Sequence, residues 1–139
     1  MSKRMLVNTA TAVMTFVVAS PVLAQEAATL NDEQLDALLT GHTLYIAVPP
    51  GPAGGPDGGI APFKYGADGS ASAALPAGVT LVGTWSIIDG QYCVDWDNGP
   101  KGSCTSLRKK DETIELFDTN ANEVRGTVER IVPGNPEDL

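Results

Sequence analysis

The chain has 139 residues, enough for one domain with a modest core but not for two. Nine basic residues face 17 acidic ones, and with Lys3 and Arg4 lost in a leader the mature balance is 7 against 17, a charge of −10. That excludes nucleic acid and anionic membrane as main partners, since both need a basic surface; 15 Gly, 10 Pro and 6% aromatic residues exclude a packed helical bundle.

The leader is residues 1–24. Met1-Ser2-Lys3-Arg4 is basic, Met5 to Ala19 is mostly apolar, and Val22 and Ala24 are small residues at the −3 and −1 positions of a cleavage site. This is the three-part pattern of a secretory signal peptide. Asn8, Thr9, Thr11 and Thr15 interrupt the run, which falls short of the ~20 apolar residues that span a bilayer. No Cys follows the leader to carry a lipid, and no later segment is apolar enough to span. The expectation is a soluble periplasmic or secreted protein with no stable membrane insertion after cleavage.

Residues 25–29 are a short lead-in, and residues 30–132 are read as one β-rich domain. Leu30-Asn31-Asp32-Glu33-Gln34-Leu35 starts a helix: Asn31 caps, Gln34 completes a capping box, and Leu30 with Leu35 forms a hydrophobic staple. Asp32 and Glu33 favour the positive end of the helix dipole. Leu35, Leu38 and Leu39 make one apolar stripe, and Gly41 ends the helix. Thr43 to Val48 alternates as a strand, with Leu44, Ile46 and Val48 on one face. Pro49 to Gly59 contains nine Gly or Pro in eleven residues, a composition that predicts a flexible loop with no ladder. Ala61 to Tyr65 reads as a short strand. Ser70 to Leu75, rich in Ala and Ser, suits neither strand nor helix.

Later signals are stronger. Val79 to Ile88 is a strand, and Asp89-Gly90 is a two-residue hairpin turn that pairs Trp85 with Val94 and Ile87 with Tyr92. Gln91 to Trp96 and Ser103 to Lys109 flank the turn signal Asp97-Asn98-Gly99-Pro100. Symmetry about Asn98 and Gly99 puts Cys93 opposite Cys104, the only two cysteines, at the ~4.5 Å of a non-hydrogen-bonded pair. An exported chain with such a pair holds one disulfide. Thr113 to Asp118 and Glu123 to Val132 complete seven or eight antiparallel strands, and 133–139 is a polar tail. The fold class is therefore mainly β: an antiparallel meander, a partly closed barrel or sandwich, with one short N-terminal helix. Trp85, Ile87, Tyr92, Val94, Trp96, Leu107, Ile114 and Leu116 share the core face. Val124 and Val128 join it only if the loop before them has odd length.

No catalytic, cofactor or metal set emerges. His42 is the only histidine, which excludes multi-histidine zinc sites; it reads as a partner for a helix-end carbonyl. Asp118-Thr119-Asn120-Ala121-Asn122 with Glu129 has the spacing of a calcium loop, but position six is Glu123 where the turn needs Gly. It reads as an Asn-rich hairpin turn. Trp96 at a strand end, Tyr65 and Pro52 are the residues assigned to a binding surface.

Gly83-Thr84-Trp85, Asp89-Gly90, Cys93, Trp96 and Cys104 resemble a pattern in small exported bacterial β-proteins of unknown function, covering about Leu30 to Val132. The Gly-x-Trp element is also similar to the start motif of lipocalins, where it opens a barrel with a deep ligand pocket; here it follows a strand and a long loop. Neither resemblance implies catalytic residues. Three functions stay open: a non-enzymatic binding or interaction module for an unknown protein, a small-molecule carrier with an apolar pocket in a lipocalin-like barrel, and an enzyme using carboxylates only.

Overall fold

Every strand after the helix pairs with the strand before it and the strand after it, and the last returns to the first. In the computed structural model, which describes residues 27–139 and Val17, β1 is Ala28–Thr29, α1 Asp32–Leu39, β2 His42–Val48, β3 Gly59–Tyr65 and β4 Ser70–Ala74. They are followed by β5 Thr80–Ile88, β6 Gln91–Trp96, β7 Ser103–Lys110, β8 Thr113–Asp118 and β9 Glu123–Pro133. Strands β2 to β9 form a closed antiparallel eight-stranded barrel, because β9 pairs with β2 and β7 with β8. The signal-peptide assignment, residues 1–24, lies outside the described residues apart from Val17. No helix among the described residues is long and apolar enough to cross a membrane.

Strand β1 is an extra piece of ladder, and it falls in the expected lead-in. The β6–β7 pairing covers only Tyr92 to Val94 against Ser103 to Thr105. Past Thr105 the free edge of β7 is taken by β1, with Thr29 opposite Arg108 and Leu30 N–H donating to Leu107 O at 2.8 Å. The helix begins as its sequence requires: Asn31 Oδ1 accepts from Gln34 N–H and Gln34 Oε1 from Asn31 N–H. Its stripe, Leu35 and Leu39 fully buried, belongs to the barrel core. Asp32 Oδ1 accepts from Gly90 N–H at 2.6 Å, tying the helix to the β5–β6 turn. The helix therefore closes the barrel end that carries this turn.

Both hairpin registers follow the sequence. Ile88 opposes Gln91 around Asp89 and Gly90, which both lie at positive φ, and Trp85 opposes Val94. Cys93 opposes Cys104 and is bonded to it, with a Cα separation of 4.0 Å. The connecting loop runs from Asp97 to Gly102, and β7 begins at Ser103. A bonded pair of this kind persists in a non-reducing compartment.

The Ala- and Ser-rich stretch that sequence left unassigned is β4, and its composition has a packing reason. One inward row runs Tyr65, Ala71, Gly83 and Trp96 across four neighbouring strands. The small residues leave space inside the barrel for the two large rings at either end of the row. Tyr65 and Trp96 are accordingly buried, at 1% and 6% exposure.

Strand β9 carries two register shifts, one leaving Arg125 and one leaving Glu129 without an opposite partner. The Glu129 bulge brings Ile131 onto the inward face of Gly126 and Val128, and the Arg125 bulge turns Val124 off it. They also split the two valines treated together above: Val128 packs on the core, while Val124 is 45% exposed.

Two outcomes follow. Replacing both cysteines by Ser removes the staple from one of the two shortest seams of the barrel and should cost ~2–3 kcal/mol for a loop of this length, read by urea unfolding of the oxidised and variant proteins. A Cβ at Gly83 would lie 2.1 Å from Asp95 O and 2.9 Å from Trp96 Cα. Gly83→Ala should therefore lose ~3 kcal/mol or more through overpacking, measured in the same way.

Candidate binding surface

Among the described residues, the interior is occupied by packed side chains. Leu30, Leu35, Leu39, Leu44, Ile46, Tyr65, Tyr92, Val94, Trp96, Leu107 and Leu116 form one contiguous buried cluster. Tyr65 meets Trp85 edge-to-face at 5.6 Å and Tyr92 at 5.4 Å. Burial pushes both phenols up, Tyr65 well above the usual tyrosine range.

Of the three residues assigned to a surface, Pro52 alone is exposed. Tyr65 and Trp96 are corrected to core residues. Trp96 sits at the end of its strand, yet the chain after it folds back over the ring: an added Cβ at Gly99 would be 3.2 Å from Trp96 Cβ and 3.3 Å from Leu81 Cδ2. Trp85 is the half-buried tryptophan, with its Nε1–H donating to Gly66 O at 2.9 Å. Acrylamide should therefore quench the fluorescence of Trp85, and Trp85→Phe should leave an emission that acrylamide barely reaches. Equal quenching in that variant would place Trp96 at the surface.

The Gly/Pro loop after Val48 bonds to itself. Gly51 and Gly55 exchange both backbone hydrogen bonds, at 3.0 and 2.8 Å, so the segment folds into a small closed turn. Ala53 O accepts from Ala77 N–H at 3.4 Å, which joins it to the β4–β5 loop. Gly54 is buried, and a Cβ there would lie 2.0 Å from Pro49 O. The glycines permit a turn tight enough for the backbone to bond itself, and the prolines lower the entropy lost on closing it. No strand lies between Val48 and Gly59; the loop carries one isolated bridge between its glycines.

Three loops meet at this end of the barrel, opposite the helix. Asn98 joins the third: its Oδ1 accepts from Val82 N–H at 3.1 Å and its Nδ2 donates to Thr80 O at 2.8 Å. The side chain thus continues the ladder of β5 after β6 has ended. The resulting rim is apolar. Ile60 is 61% exposed, Val79 45% and Val82 47%, and Pro50, Pro52, Pro56, Pro76 and Ala77 lie among the same loops. Residues 49–60 contain one charged side chain, Asp57, and residues 75–82 contain none. Beside the rim, β2 and β9 part beyond Ala47 and Thr127, leaving a hollow of about 300 Å³ lined by Ala47, Val48, Pro49 and residues 124–127. It brings exposed Val124 next to Pro49.

Away from the rim, Arg108 pairs with Glu115, and Arg125 pairs with both Asp118 and Glu123. Asp118 accepts from the N–H groups of Asn120 and Ala121 and from Arg125 at 2.6 Å, and these partners, Ala121 first, hold its carboxyl below the usual range. The Asp118–Asn122 segment is a hairpin turn with Asn122 at positive φ, and Glu129 stands at a bulge in β9. Among the described residues no three His, Cys, Asp or Glu side chains converge as metal ligands would. His42 Nδ1 lies 2.9 Å from Thr40 O at the helix end. Arg108 lies over Phe117 at 3.6 Å, its Nε buried without a partner and its Nη2 3.6 Å from Glu115. No family model matches the chain, and neither does any curated protein or solved structure.

Proposed function

We propose that the protein is an exported, non-enzymatic interaction module that presents its uncharged Pro/Gly rim to a protein partner. The observation that carries this reading is the contrast between a barrel interior filled by its own side chains and a self-bonded loop that exposes Ile60, Val79 and Val82 around it. Exposed apolar surface gathered in one place is a mark of protein contact. A loop already held in shape loses little entropy on binding. The signal-peptide pattern and the disulfide support a periplasmic or secreted site of action.

The test is site-specific photo-crosslinking in the compartment to which the protein is exported. A photoreactive residue at Pro52 or Ile60 should give discrete adducts with one other protein. The same residue at Glu112, at the opposite end of the barrel, should give none. No adduct from the rim, or equal adducts from both ends, would remove the reading.

A further inference from the structure

The tail after β9, read from sequence as a polar end, is folded against the barrel. The seam it touches joins β2 to β9, the first and last strands of the closed barrel. That seam has two weaknesses. Glu129 interrupts its ladder as a bulge, and Pro133, opposite His42, has no N–H to donate.

The tail supplies what the ladder lacks. Gly134 N–H donates to Gly41 O at 2.8 Å, and Thr43 Oγ donates to Gly134 O at 2.7 Å. Farther along, Tyr45 Oη donates to Glu137 Oε1 at 2.5 Å, while the Arg130 guanidinium lies over the Tyr45 ring at 3.9 Å. Asn135 and Leu139 exchange two hydrogen bonds of 2.9 Å, closing the tail into a ring. Thr43 and Tyr45 point away from the core row of Leu44 and Ile46, yet Thr43 is fully buried and Tyr45 is 6% exposed.

We propose that residues 134–139 are a clasp across the closing seam of the barrel, and that its release frees β2 and β9 from each other before the rest of the barrel opens. The clasp is anchored on β2 through Thr43 and Tyr45 and on β9 through chain continuity, beside the Arg130–Tyr45 stack that joins the two strands directly. Seam opening then costs the clasp contacts and the β2–β9 ladder, and it leaves the β5–β6 hairpin and the disulfide untouched.

Native-state hydrogen exchange on the full chain tests this. Tyr45→Phe keeps the ring and its stack on Arg130 but removes the hydroxyl; Glu137→Gln removes the charge. Together they should speed exchange of residues 43–47 and 127–132 by about tenfold, while Trp85 to Val94 stays slow. Unchanged exchange in the seam, or a rise spread evenly over the barrel, would overturn the proposal.

Ionisation of Tyr45 gives a second readout. The Glu137 hydrogen bond first, then burial and the Glu137 charge, hold its phenol above the ordinary value, against the opposing effect of Arg130. Lys64, opposite Thr43 on β3, and Asp138 in the tail are the other charged groups nearby. The Tyr45 transition, isolated as the difference from Tyr45→Phe, should move down in Glu137→Gln. A transition that does not move would mean that the tail is not seated on Tyr45 in solution.

Discussion

Closure of the barrel rests on one pairing, β9 against β2. These strands lie at opposite ends of the domain sequence, so their contact bears the largest loop-closure cost in the sheet. β9 must also keep apolar residues inward along eleven positions whose sequence does not alternate cleanly. The bulges at Arg125 and Glu129 resolve that mismatch: the second brings Ile131 onto the inward face of Gly126 and Val128, and the first turns Val124 off it. With the seam made, β2 and β9 both lose their free edges and the hydrophobic faces of all eight strands enclose one volume.

What fills that volume decides where function resides. The row from Tyr65 through Ala71 and Gly83 to Trp96 uses small residues on the middle strands to admit large rings from the flanks. The helix adds Leu35 and Leu39 from one end, and Leu81 with Trp96 packs beneath Gly99 at the other. Side chains from the strands and the helix thus pack into one core. Exposed apolar residues lie outside it, on strand ends such as Ile60 and Val82 and on the β4–β5 loop at Val79. Gly83 illustrates the difference from the lipocalin-like pattern: it lies on the fourth barrel strand, where its service is close approach to Asp95 and Trp96.

The parts legible in sequence were those governed by local rules. The capping box at Asn31 and Gln34, the Asp89-Gly90 turn and the Cys93–Cys104 register each depend on residues within a dozen positions. The alternation around Trp85 to Trp96 then gives the core face of two strands. Nonlocal packing was not legible. Ala71 and Ala73 have weak strand preference, and they form β4 because Tyr65 and Phe63 stand opposite. Trp96 looked half-exposed because nothing nearby announces that Gly99 will fold over it. The Gly51–Gly55 bridge was not legible either, because composition reports flexibility in the unfolded chain, whereas the bridge is a property of one conformation.

The central claim is that the barrel is filled by its own residues, which is the premise of the proposed surface role. Native mass spectrometry of the protein taken directly from its own compartment tests it most directly. The account predicts the mass of the processed chain with one disulfide and no retained small molecule, even under the gentlest ionisation that keeps the fold. A stoichiometric apolar ligand that leaves only when the barrel unfolds would contradict it.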